Sequence, residues 1–278
     1  MSQAGALHPD WLIPQWPVPA CVKAVFTTRS GGVSVAPFDA LNLGSHVGDL
    51  PDSVANNRAA LHQAMGTCRP VFLNQVHGTR VQRLEAHSLD GLSADACLTS
   101  SPKLACCIMV ADCLPVLLAA QDGSRIAAAH AGWRGLAGGQ NGNGNGIIES
   151  VWKSWSAFAP QGQVPQAAKI IAWLGPCIGP SVFEVGEEVK AAFGAAQPES
   201  ARWFVQVGPD KHLADLAGLA RQRLQALGIT QIYGNDGSPS WCTVGNPSRF
   251  FSHRRDAGVT GNGFGTTGRM AACIWLDR

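Results

Sequence analysis

Charge is scarce in this sequence. Asp, Glu, Lys and Arg supply 14% of its 278 residues, against roughly 25% in an ordinary globular protein. Apolar residues still reach 46%, so the composition excludes a solvated, disordered chain, and the length suffices for a core without disulfide staples. A net charge of +2 is too weak a bias to point to nucleic acid or an anionic membrane as partner. No apolar run reaches membrane length. The most apolar window, Leu104 to Ala120, is broken by Asp112 and Pro115 and is too short to cross a bilayer comfortably. Met1 to Pro17 lacks the basic-then-apolar pattern of a secretory signal. The nine cysteines are odd in number and contain no CxxC pair. Reduced thiols in a cytoplasmic compartment are therefore expected, not a disulfide framework. There is no internal repeat, no compositional linker and no GxxxxGK[ST] phosphate loop.

What is present reads as a mixed α+β chain. Residues 1–20 are rich in Pro and Trp and read as an irregular arm; residues 21–278 read as a single domain. Strands are expected at Ala24–Thr28, Val71–Gln75, Ala105–Val110, Arg125–Ala131, Ile170–Leu174 and Cys273–Leu276. The window Leu104 to Ala120 reads as a strand pair or a strand–turn–helix. Asp52 to Met65 reads as a helix: Val54, Leu61 and Met65 share one face, and Asp52 or Ser53 stands where a cap belongs. Gly146–Ser156, Ser181–Phe193 and Leu213–Leu227 also read as helices. Two Gly/Asn/Thr-rich tracts, 138–146 and 258–268, read as surface loops or as a pair of lids over a site.

Three segments share one form, an apolar strand running into a polar tip: VFLNQVHG ends on His77, IMVADCLP on Asp112 and Cys113, and IAAAHAGWRG on His130. Tips converging on one rim of a sheet would gather His77, Cys113 and His130. Imidazole and thiolate suit a borderline-soft ion such as Zn²⁺, and three protein ligands leave a fourth position for water. The ordinary reading of each residue alone is a small core thiol or a hydrogen-bonded histidine. A blue-copper set of two His and one Cys, with Met109 nearby, is less favoured, because none of the eight histidines sits two residues from another as multicopper sites require.

The segments NQVHG, ADCLPVLL, HAGWRG, GPCIGPSVFEVGEEV and FFSHRRDAG…TGRMA follow one another in the order of the laccase-domain family, with FTTRSGG, LNLGSHVGD and NNRAAL upstream. The chain resembles that family from about residue 20 to 278. Its members, once labelled polyphenol oxidases, are associated with purine nucleoside phosphorylase and adenosine deaminase activities, and some with peptidoglycan editing. The resemblance implies a four-layer α/β/β/α sandwich and a Zn²⁺ bound by His77, Cys113 and His130. It also implies a pocket role for Arg29 toward phosphate or substrate. Asp112 would shuttle a proton or orient a ligand, or else simply cap the turn before Pro115. The sequence departs from the family pattern in the inserted glycine tracts and in His253, where an aromatic such as Tyr is common.

The remaining motif residues each carry two readings. Trp133 would stack on a base or pack in the core. Glu184 would be a buried general acid–base or a helix cap. Arg254 and Arg255 would bind phosphate, or pair internally with Asp256. The expected function is zinc-dependent phosphorolysis of purine nucleosides together with deamination of adenosine, with nucleoside and phosphate as small-molecule partners and a monomer or small homo-oligomer as the assembly. The alternative is a cysteine or zinc hydrolase acting on a peptidoglycan precursor, with Cys113 as nucleophile. A non-catalytic interaction module has little in its favour.

Overall fold

The computed structural model describes residues 6–138, 145–158, 165–256 and 266–278. Most of both glycine-rich tracts lies outside these residues. A four-stranded sheet has the order β1 (Val22–Phe26), β13 (Met270–Leu276), β5 (Leu104–Val110), β2 (Arg69–Phe72), antiparallel except for the parallel β2–β5 pair. A six-stranded sheet has the order β12 (Gln231–Gly234), β8 (Ile170–Leu174), β6 (Leu114–Ala120), β7 (Ile126–Ala131), β4 (Ala96–Thr99), β3 (Val81–Arg83). Its two outer pairs are parallel and its centre is antiparallel. A small antiparallel sheet has the order β10 (Phe204–Gly208), β11 (Lys211–Ala214), β9 (Glu184–Gly186).

Strand alternation sorts the apolar side chains into three layers of contact. Cys106 and Ile108 of β5 and Ala272 and Ile274 of β13 face Leu117 and Ala119 of β6, Ala128 of β7 and Trp173 of β8, forming the core between the two large sheets. Their neighbours Ala105, Cys107, Cys273 and Trp275 face outward against Leu61 of α1 (Pro51–Ala64). On the far side, Val116, Leu118, Ala127, Ala129 and Ala172 face α3 (Ile147–Ala157) and α5 (Leu216–Ala226) through Ile148, Val151, Trp155 and Leu219. The result is helix, sheet, sheet, helix. Each large side chain fully buried in these layers contributes about 1.5–3 kcal/mol of transfer free energy. Both large sheets are nearly continuous apolar runs because both of their faces are covered.

Leu104 to Ala120 is the strand pair, the first of its two readings. Other sequence expectations are corrected. Ser181–Phe193 is not one helix: β9 precedes α4 (Glu187–Gly194). Likewise the segment Leu213–Leu227 begins in β11, and α5 starts only at Leu216. One cause accounts for both. Glu184 pairs with Leu213 and Val185 with His212, so mutual strand pairing wins over local helix preference, and Asp215 caps α5 by accepting Gly218 N at 2.8 Å. Helix α1 starts at Pro51, after the Leu50 cap, where proline's fixed φ suits the first helical position. Within the expected N-terminal arm, Leu12 bridges Phe26 and Trp11 is buried.

Candidate metal centre and its cavity

The three tips meet where the two large sheets join, with His77 exposed, Cys113 half-buried and His130 buried. His77 stands in the loop after β2 of the four-stranded sheet, and Cys113 in the turn that passes from β5 to β6. His130 lies two residues beyond Ala128 on β7 and therefore on the inter-sheet side. Their ligand atoms all lie within 4.8 Å of one another, with Cys113 Sγ 3.8 Å from His77 Nε2. One ion bonded at about 2.0–2.3 Å to each fits that triangle. The space for it is kept by Gly132, where a Cβ would come 3.0 Å from Cys113 Sγ and 3.1 Å from His77 Cδ2. Among the described residues this is the one group of three or more His, Cys, Asp or Glu able to hold a metal.

Asp95, just before β4, organises the group. It is fully buried. Its Oδ1 accepts His130 Nδ1 at 2.9 Å and His77 N at 2.8 Å, and its Oδ2 accepts Gly78 N at 2.7 Å and Val76 N at 3.3 Å. The Nδ1 contact leaves His130 Nε2 as the nitrogen that could bind a metal. Burial opposes the Asp95 charge, but the His130 hydrogen bond and the backbone N–H groups outweigh it and hold the carboxyl below its usual value. Burial likewise opposes the Cys113 thiolate. The facing His130 charge and the hydrogen bonds of both imidazoles overcome that and bring the thiol down to about 6. His130 is raised to about 9: burial is outweighed by the Cys113 thiolate and by Asp95. At neutral pH the group thus holds a thiolate, the form that binds metal.

Asp112 precedes the cysteine with φ at 88°, a left-handed conformation uncommon outside glycine. The conformation is fixed by hydrogen bonds. Asp112 Oδ1 accepts Thr243 Oγ1 at 2.5 Å, and Oδ2 accepts Ser252 Oγ at 3.1 Å and Arg254 N at 2.6 Å. His77 has φ at 60°, held by the Asp95 contacts.

The centre opens into a cavity of about 290 Å³, near the lower end of the roughly 300–1,000 Å³ of small-molecule sites. Trp133, Ile178, Phe183 and Leu216 give it an apolar, aromatic wall, and Arg254 and Arg269 give it cationic groups; His46 adds an imidazole that burial and the nearby Arg269 and Arg58 hold toward its neutral form.

The sequence from residue 23 to residue 277 matches the family model described as multi-copper polyphenol oxidoreductase laccase. The chain belongs to this laccase family. Family relatives include the purine nucleoside phosphorylase of Pseudomonas aeruginosa, 46% identical over 268 residues, which cover 96% of this chain and 98% of that protein. The purine nucleoside phosphorylase YfiH of Escherichia coli is also 46% identical, over 95% of this chain and 98% of its own length. Solved structures agree in fold. A Neisseria meningitidis protein superposes with a TM-score of 0.82 at 42% identity, over 97% of this chain and all of that one. YlmD of Geobacillus stearothermophilus superposes with a TM-score of 0.78 at 31% identity, over 94% of each chain.

Of the residues singled out in the sequence, His77, Cys113, His130, Asp112, Trp133 and Arg254 line the cavity. Three others do not. Arg29 pairs with Asp39 at 3.0 Å, donates to Pro247 O at 2.9 Å and lies over the Phe251 ring. Arg255 pairs with Asp256 and donates to Thr243 O and Phe250 O. Glu184 is exposed on the small sheet and pairs with Lys211 at 2.9 Å, so it is neither buried nor a helix cap. The sequence reading missed Asp95, His46 and Arg269. The last two stand inside LNLGSHVGD and TGRMA, so motif membership was the available signal. Gln75, also on the cavity, spends both ends of its amide on the Met109 backbone, at 2.8 Å each.

Proposed function

We propose that the chain is a zinc-dependent purine nucleoside enzyme. It would phosphorolyse adenosine, inosine or guanosine to base and ribose-1-phosphate, and deaminate adenosine to inosine. One observation carries this reading: a metal-competent His–Cys–His group shares a nucleoside-sized cavity with an aromatic wall and two arginines. The names of the relatives favour it. Zinc is favoured over copper because the described residues hold one His–Cys–His group and no second set of ligands such as a multicopper site needs. Bound zinc would supply Lewis-acid polarisation and an ionisable water.

The chain's own residues supply the rest. Trp133 and Phe183 would hold the planar base against an apolar surface and exclude water. Arg254 would orient the phosphate. In phosphorolysis a phosphate oxygen bonds C1′ while the glycosidic bond breaks; its electron pair leaves with the base, which takes up a proton. In deamination water adds at C6 and ammonia leaves. Asp112, with both carboxylate oxygens occupied, positions Cys113 and the Arg254 backbone.

The test is chromatographic. Purified protein is incubated with adenosine and phosphate, and inosine, adenine and ribose-1-phosphate are followed alongside Cys113→Ala. Product from the wild type, lost together with zinc in the variant, is the expected outcome. Turnover by a metal-free Cys113→Ala protein would sink the reading. The lowered Cys113 thiol and its contact with His77 favour one alternative, a cysteine hydrolase of peptidoglycan precursors. That reading expects a covalent Cys113 adduct that inactivates metal-free yet active protein; activity rising with zinc content goes against it.

A further inference from the structure

Arg254 and Arg269 both line the cavity, and among the described residues neither has a carboxylate within ion-pair distance. The segments outside the described residues contain no Asp or Glu. Other arginines that the chain holds close to its core do have such a carboxylate: Arg29 with Asp39, Arg58 with Asp90, Arg223 with Glu149, Arg255 with Asp256. Arg269 is also held in place. Its backbone N donates to Asn42 Oδ1 at 2.9 Å, and its Nη1 donates to Thr267 O at 2.8 Å. Its stem lies against Gly44, where a Cβ would come 2.8 Å from Cγ. One edge of the guanidinium is thus tied to backbone, and Nε and Nη2 have no acceptor among the described residues. The negative groups that act on it are Cys113 and Asp112, the first a ligand of the metal group and the second committed to Thr243, Ser252 and Arg254 N. A half-buried cation held this way, without a counter-charge of its own, is costly unless a ligand supplies one.

We propose that Arg269, with His46 on the same cavity and Arg254 as the second cation, forms the oxyanion subsite that receives inorganic phosphate. The inference rests on the phosphorolysis reading and deepens it. The fixed Nε/Nη2 edge offers the two parallel donors that a phosphate accepts bidentately, whereas Arg29 and Arg255 have spent their donors on carboxylate and backbone.

The experiment measures KM for phosphate at saturating inosine and KM for inosine at saturating phosphate, with zinc content fixed. Arg269→Gln is expected to raise the phosphate KM at least about tenfold while moving the inosine KM far less. Arg269→Lys, which keeps the charge but loses the fork, should recover part of the loss. Should Arg269→Gln fail to fold by circular dichroism, His46→Gln replaces it with the same direction expected. An unchanged phosphate KM, or two KM values rising together, overturns the proposal. If the wild type phosphorolyses no purine nucleoside, the phosphorolysis reading falls by itself. Phosphorus NMR titration with inorganic phosphate then decides the subsite. Broadening in the wild type that disappears in Arg269→Gln upholds it, and no broadening in the wild type overturns it.

Discussion

Cys113 differs from its eight fellow cysteines in one respect that experiment can read. Burial raises Cys106, Cys107 and Cys177 well above the ordinary thiol range, whereas the two imidazoles bring Cys113 down to about 6. In metal-free protein, iodoacetamide should therefore label Cys113 first. The rate should fall as the pH drops through about 6, where the thiolate takes up its proton; a midpoint near the ordinary thiol value of 9 would contradict the pairing. Mass spectrometry of the labelled peptide across pH 4–9 checks this. The His77, Cys113 and His130 cluster was legible in the sequence because each stands at or near the polar end of an apolar strand. Asp95 was not, since a single acid before ACLT carries no mark of the histidine opposite it. Glu184 misled because its apolar neighbours Phe183 and Val185 are buried while its own side chain alternates outward.

At the scale of the element, the turn joining β5 to β6 is held tightly. Three donors converge on Asp112 to keep its backbone left-handed, and the next residue is Cys113. Asp112→Ala removes both side-chain acceptors and leaves the Thr243 and Ser252 hydroxyl protons without an acceptor in a buried place. A loss of about 2–4 kcal/mol is expected, read as a lower urea midpoint, together with weaker metal binding. Asp112→Asn, which keeps acceptors and tolerates positive φ, should lose less. Element boundaries were legible where local pattern and pairing agree: Ile170–Leu174 was read correctly to the residue. They failed at β9 and β11, because nothing local tells Glu184–Gly186 that a partner waits some 27 residues on, at Leu213–Lys211. The layer arrangement itself came from the family resemblance, not from the apolar pattern, which gives no pairing order.

Over the whole molecule, Asp95 acts as a latch. It precedes β4 in the six-stranded sheet, yet it accepts three backbone N–H groups from the loop after β2 in the four-stranded one. Asp95→Asn replaces one acceptor oxygen with an amide that has only donors to face. A 10–100-fold fall in zinc affinity is expected from the weakened hold on His130, measured by chelator competition. A lower melting temperature should accompany it even in metal-free protein, because the sheets lose a tie that does not depend on the ion. Loss of affinity with no change in metal-free stability would restrict Asp95 to orienting the histidine.

The place of β13 has a consequence for timing. This strand follows every other strand in the chain, yet it stands between β1 and β5, pairing Leu276 with Val22 and Met270 with Val110. Closing a loop of that length is slow compared with forming any local turn. The sheet that presents His77 therefore stays unfinished on the ribosome until the last strand has emerged. Any metal that the His77, Cys113 and His130 group took up before β13 had paired would be held by an incomplete sheet.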